Sequence, residues 1–66
     1  MEYLKIAALA NKCEVKRQNI NECYRLIGAN PNLSKECIEF LYNQIESMEK
    51  DLTFIENKIR KYVSNA

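Results

Sequence analysis

The chain has no histidine and no tryptophan. It has one glycine, one proline and one aspartate in 66 residues. Each scarcity excludes something. Without histidine, the commonest general base and the commonest metal ligand are gone. No nucleophile can be paired with an imidazole, so the Ser-His and Cys-His arrangements of covalent catalysis are excluded. A single glycine cannot build a glycine-rich phosphate loop, and it argues against a turn-rich all-β fold. A single aspartate, Asp51, leaves little for paired-carboxylate chemistry.

Long apolar runs are also missing. Nothing approaches the 18 consecutive apolar residues of a membrane-spanning helix. The apolar stretch at residues 6–10 is too short for the core of a secretory leader, and no basic segment precedes it. The three cysteines, Cys13, Cys23 and Cys37, are odd in number and show no C-x-x-C spacing. A small disulfide scaffold usually carries four, six or eight. The expectation is therefore a cytoplasmic chain whose thiols are reduced and act as small apolar side chains. Three scattered cysteines without histidine do not make a zinc site. A net charge of +1 gives no general attraction to nucleic acid or to a membrane surface. Abundant Asn, Lys and Ile with scarce Gly and Pro fit the codon bias of an AT-rich genome, as in low-GC bacteria and their phages.

What is present is heptad rhythm. The glycine and the proline fall together in Gly28-Ala29-Asn30-Pro31-Asn32, the one break in the chain. Beyond it, Ile38, Leu41, Ile45, Met48, Leu52, Ile55, Ile59 and Tyr62 alternate at spacings of three and four. That is the apolar stripe of a coiled-coil helix. Before it, Ile6, Cys13, Ile20 and Ile27 recur every seven residues, with Leu9, Lys16 and Cys23 three places after the first three. The spacing predicts a single domain over 1–66, with a helix at 2–27, a turn at 28–33 and a helix at 34–64. Gly28 is suited to end the first helix in the left-handed conformation. Ser34 is a good N-cap for the second, with Leu33 and Ile38 as a hydrophobic staple. Asn30 followed by Pro31 is the alternative start; Ser34 is preferred because the apolar rhythm begins at Ile38.

Folding back at Gly28 sets Ile27 against Ile38, Cys23 against Leu41, and Ile20 against Ile45. It continues with Lys16 against Met48, Cys13 against Leu52, Leu9 against Ile55 and Ile6 against Ile59, without a skipped layer. The predicted fold class is all-α, an antiparallel two-helix hairpin resembling a coiled coil. A third helix break at Lys16-Arg17 is the competing architecture. Lys16 is the one polar residue on the stripe. Its stem is expected over Met48 and its ammonium at Glu46 or Glu49.

One seam is a thin core. Ordering 66 residues costs on the order of 100 kcal/mol, so a lone hairpin is marginal. The apolar residues left over form further lines. Phe40 and Phe54 share a heptad position, with Cys37, Gln44, Ser47 and Asp51 beside them. Tyr42 and Val63 widen the opposite shoulder of the second helix. Leu4, Ala8 and Val15 form a second line on the first helix, and Tyr24 and Leu26 flank the turn end. The candidate partner or dimer interface is therefore Leu4, Ala8, Val15, Tyr24, Cys37, Phe40, Tyr42, Ser47 and Phe54. Two occupants suit it: a second copy, giving a homodimer that closes a four-helix bundle, or a different protein docked on the helical face.

The functional expectation is a non-enzymatic interaction protein with no cofactor, metal or small-molecule ligand. The glutamates Glu36, Glu39, Glu46 and Glu49 share one helix but read as a solvated acidic face. The alternative is a small helical nucleic-acid binder. Lys5, Lys58, Arg60 and Lys61 gather at one end of the hairpin with Tyr3 and Tyr62, although basic residues near a helix C-terminus also serve the helix dipole alone.

The stretch at residues 32–45, Asn-Leu-Ser-Lys-Glu-Cys-Ile-Glu-Phe-Leu-Tyr-Asn-Gln-Ile, resembles the second helix of small helical-hairpin regulators of bacterial sporulation signalling. Checkpoint inhibitors of sporulation histidine kinases share its Asn-Leu opening and its Ile-Glu, Asn and Ile placement. The sporulation aspartyl-phosphate phosphatases carry Ser-Gln-Glu-Leu-Asp at this point. Here Ser34 and Glu36 match, Lys35 replaces Gln, Cys37 replaces Leu, and Ile38 stands where the essential Asp would be. The resemblance implies a small protein that inhibits a signalling enzyme by occupying its surface. The departure at Ile38 argues against phosphatase activity.

Overall fold

A computed structural model describes residues 2–64 of the chain; Met1, Asn65 and Ala66, which the single-domain expectation included, lie outside the described residues. Two helices, α1 (Glu2–Ala29) and α2 (Lys35–Ser64), pack against each other as a hairpin. With 28 and 30 residues at about 1.5 Å rise each, they form a rod of 50 × 15 × 12 Å. Its radius of gyration is 15.2 Å, against about 11 Å for a compact domain of this length. α1 passes through Lys16-Arg17 unbroken, which removes the three-helix alternative.

The seam follows the heptad stripe. Every stripe position, from Ile6 to Ile27 on α1 and from Ile38 to Tyr62 on α2, is buried or half-buried. Outside it, among the residues of known exposure, only Leu26, Leu33, Cys37 and Glu56 are partly shielded. Among the residues of known exposure, the buried ones, Cys13, Ile20 and Ile45, lie toward the middle of the rod. Two helices bury one stripe each, and solvent reaches the ends of the seam from both edges. α2 concentrates its apolar residues on that stripe, whereas those of α1 spread further round the helix.

The turn differs from the expectation at Gly28. Its φ is not positive, and it lies inside the last turn of α1. The helix instead ends at Ala29 because Asn30 precedes a proline, which disfavours helical backbone there. The Asn30 side-chain amide donates to the Leu26 carbonyl at 2.8 Å. That bond satisfies one of the carbonyls a left-handed glycine would otherwise serve. The Leu33 N–H then donates to the Asn30 carbonyl at 3.2 Å, closing the turn. Ser34 caps α2, its Oγ accepting from the Cys37 N–H at 3.1 Å. Leu33 and Ile38, the two staple positions, are both half-buried.

A helical glycine with free space around it is a weak point. A Cβ at Gly28 would meet nothing within 4 Å. Gly28→Ala is expected to raise stability by about 0.4–1 kcal/mol, by restricting the unfolded chain at no cost in the folded one. Urea unfolding would show an unchanged slope and a higher midpoint.

Candidate functional site

The two edges of the seam differ. Along one edge, a shallow groove is lined by Lys5, Ala8, Leu9, Lys12, Lys58 and Tyr62. It adjoins a second groove lined by Phe54, Asn57, Lys58 and Lys61. The Lys58 ammonium joins the two, lying 4.9 Å from the centre of the Phe54 ring in a cation–π contact. Ala8 and Phe54 are therefore on one side of the hairpin. Val15 follows Ala8 by seven residues, and Ser47 and Phe40 precede Phe54 by seven and fourteen, so they continue the same side. The opposite edge holds Ala10, Cys13, Glu14, Arg17, Glu56, Ile59 and Arg60 around another groove. Tyr24 and Tyr42, at heptad intervals from Arg17 and Glu56, belong to that edge.

This divides the sequence-predicted interface. Ala8, Val15, Phe40, Ser47 and Phe54 form one exposed face, with half-buried Cys37 at its margin, and Leu4 extends it one turn beyond Ala8. Phe40 and Phe54 are 60% and 62% exposed, and Leu4 63%. These are large apolar side chains left in water on a molecule with three buried side chains among the described residues. Tyr24 and Tyr42 are exposed as well, but they do not belong to this face.

The basic end divides in the same way. Lys5 and Lys58 meet in one groove and Lys61 adjoins them, but Arg60 lines the groove of the other edge, although its guanidinium reaches back to donate to Asn57 Oδ1 at 3.2 Å. Lys12 completes the group and was absent from the sequence-predicted set. Its position seven residues after Lys5 was the signal. Among the described residues, no acidic side chain lines either of these grooves.

Among the described residues, two ion pairs cross the seam. Lys16 Nζ lies 3.3 Å from Asp51 Oδ2, and Arg17 lies 3.2 Å from Glu56 Oε2. The expected partners of Lys16, Glu46 and Glu49, are not the ones it reaches. Helical side chains lean toward their own N-terminus. Lys16 thus leans toward the open end of the hairpin, where the later residues of α2 lie, and finds Asp51. Both pairs are solvent-exposed and worth about 0–1 kcal/mol each. Within single helices, Lys50 pairs with Glu46 at 3.4 Å, and Arg25 grips both carboxylate oxygens of Glu22. The Arg25 hydrogen bonds hold the Glu22 carboxyl below its ordinary range.

Folding also separates charge along the rod. Residues 18–49, at the turn end, carry two Lys/Arg and five Asp/Glu; residues 1–17 and 50–66 carry eight and four. The turn end is net −3 and the open end net +4, which together give the chain's +1.

Cys13 is buried, Cys23 and Cys37 are half-buried, and all three are free thiols. Among the described residues, no group of three or more His, Cys, Asp or Glu could hold a metal ion, and no helix is long and apolar enough to cross a membrane. No protein-family model, curated protein or solved structure matches the chain.

Proposed function

We infer that this chain is an interaction protein that works by covering a surface, with no chemistry of its own. The observation that carries the reading is the exposed face of Ala8, Val15, Phe40, Ser47 and Phe54 beside a seam that is already filled. An apolar face that the fold itself leaves uncovered marks a site for another chain. The resemblance of residues 32–45 to sporulation-signalling regulators supports a regulatory role, the inhibition of a signalling enzyme by occupation. The lack of histidine, and Ile38 in place of the phosphatase aspartate, support a mechanism without turnover.

The test is competition on one face. Wild-type chain immobilised on resin should retain a defined set of proteins from a lysate, its own free chain included. Phe54→Asp should retain about tenfold less or none, a loss of 1.4 kcal/mol or more. A Thr53→Asp control one residue away should behave as wild type. If Phe54→Asp retains the same proteins undiminished, the face is not the site.

A second reading has one observation in its favour. Lys5, Lys12 and Lys58 line a groove with Tyr62, and no acidic side chain is among the described residues of its lining. Such a basic, partly aromatic groove suits a nucleic-acid backbone. It predicts retention of structured RNA that weakens steeply with salt, because each phosphate contact releases counterions. Absence of retention at low salt removes it.

A further inference from the structure

The interaction reading leaves the occupant unnamed, and the inference here rests on it. We propose that the face carrying Phe40, Ser47 and Phe54 is covered by a second copy of this chain, stacked face to face with its turn at the opposite end of the bundle.

Area favours a second copy. The hairpin exposes 5276 Å², whereas a compact folded chain of 7.8 kDa exposes about 4,400 Å². The excess, about 900 Å², matches the roughly 800 Å² that each partner buries in an interface of standard size. One further hairpin laid along this face restores the exposure expected for the chain's mass.

The residues of this face are also symmetric along α2. Phe40 and Phe54 lie seven places either side of Ser47. A twofold axis through Ser47 turns α2 onto α2 of the second copy in the antiparallel sense. Phe40 then meets Phe54 of the second copy, and the two Ser47 side chains meet at the axis, where their small size lets the helices approach. The contact is self-complementary and closed, so it stops at two chains.

Charge chooses between the two ways of stacking hairpins. With turns at the same end, net −3 lies on −3 and net +4 on +4. With turns opposed, each negative end lies along a positive one. The axis through Ser47 places Lys58 level with Glu36 of the second copy, eleven residues either side of the axis. Lys58 faces this surface, in the groove with Ala8 and over the Phe54 ring. Complementary ends fix orientation and suppress the wrong pairing.

The experiment uses the full chain with Cys23 and Cys37 replaced by serine, its folding verified by circular dichroism. Sedimentation is expected to give twice 7.8 kDa. Ser47→Cys chains should cross-link to themselves on mild oxidation or with a short bis-maleimide. Glu36→Cys chains should link to Lys58→Cys chains when mixed, and neither should link to itself. A dimer in which Ser47→Cys does not link, or Glu36→Cys links to itself, overturns the opposed arrangement. A folded monomer that retains a different protein through Phe54 overturns the self-pairing and leaves the interaction reading intact. A folded monomer that retains nothing overturns both.

Discussion

Ile45→Ala is expected to abolish cooperative folding. Ile45 is 3% exposed and lies at the middle of the seam, where Cys13 and Ile20 are the other buried side chains. Truncating a buried isoleucine costs about 2–5 kcal/mol, the removed methyl groups plus the cavity they leave. The whole stability of a small domain is about 5–15 kcal/mol, and a two-helix rod sits at or below the lower end of that range. No second layer stands behind Ile45 to collapse into the gap, which places the cost toward the upper part. The expected result is a large loss of helical circular dichroism at 25 °C and a thermal transition too broad to fit as two-state. Ile59→Ala, half-buried near the open end, should cost less and leave a transition that can be measured. Equal losses at the two positions would mean that the seam has no centre and that burial along it is uniform.

The centre of the seam was legible in the sequence because binary pattern alone specifies it. An apolar residue every third and fourth place leaves one way to bury both helices, and the single turn makes them antiparallel. Other features needed geometry the pattern does not contain. Lys16 and Asp51 find each other because side chains lean along the helix axis, an offset that facing positions alone do not include. Gly28 looked like a helix terminator, but the proline two residues beyond Asn30's neighbour Ala29 already stops the helix and the Asn30 amide caps it. The candidate interface was legible as residues but not as a surface. Heptad position says that Phe40 and Phe54 share a line and that Tyr42 lies on the opposite shoulder of the same helix; which edge of α1 lies beside that line, and so where Tyr24 falls, follows only when the hairpin is closed. Lys12 was within reach of the pattern, one heptad after Lys5, and its company with Lys58 completes that basic group across the seam.

The self-paired bundle makes stability depend on concentration. A chain that completes its core with a second copy unfolds at a temperature that rises as protein is added, because association contributes by mass action. A tenfold increase is worth about 1.4 kcal/mol per dimer. Unfolding two chains of 66 residues releases about 0.28 kcal/mol per kelvin of entropy at the midpoint. The expected rise is therefore about 5 °C per tenfold in concentration. Phe54→Asp should remove that dependence. It would set a carboxylate against Phe40 of the second copy, twice per dimer, and a charge buried without a partner is among the costliest substitutions at an interface. The variant's midpoint should fall well below that of wild type and stay fixed across two decades of concentration. Phe54→Leu keeps the apolar contact and should retain most of the slope, which separates loss of association from general damage to α2. Phe54 is 62% exposed in the single hairpin, so a strictly monomeric chain would lose little stability to either change. Equal, concentration-independent midpoints for wild type and Phe54→Asp would therefore show that no second copy covers this face.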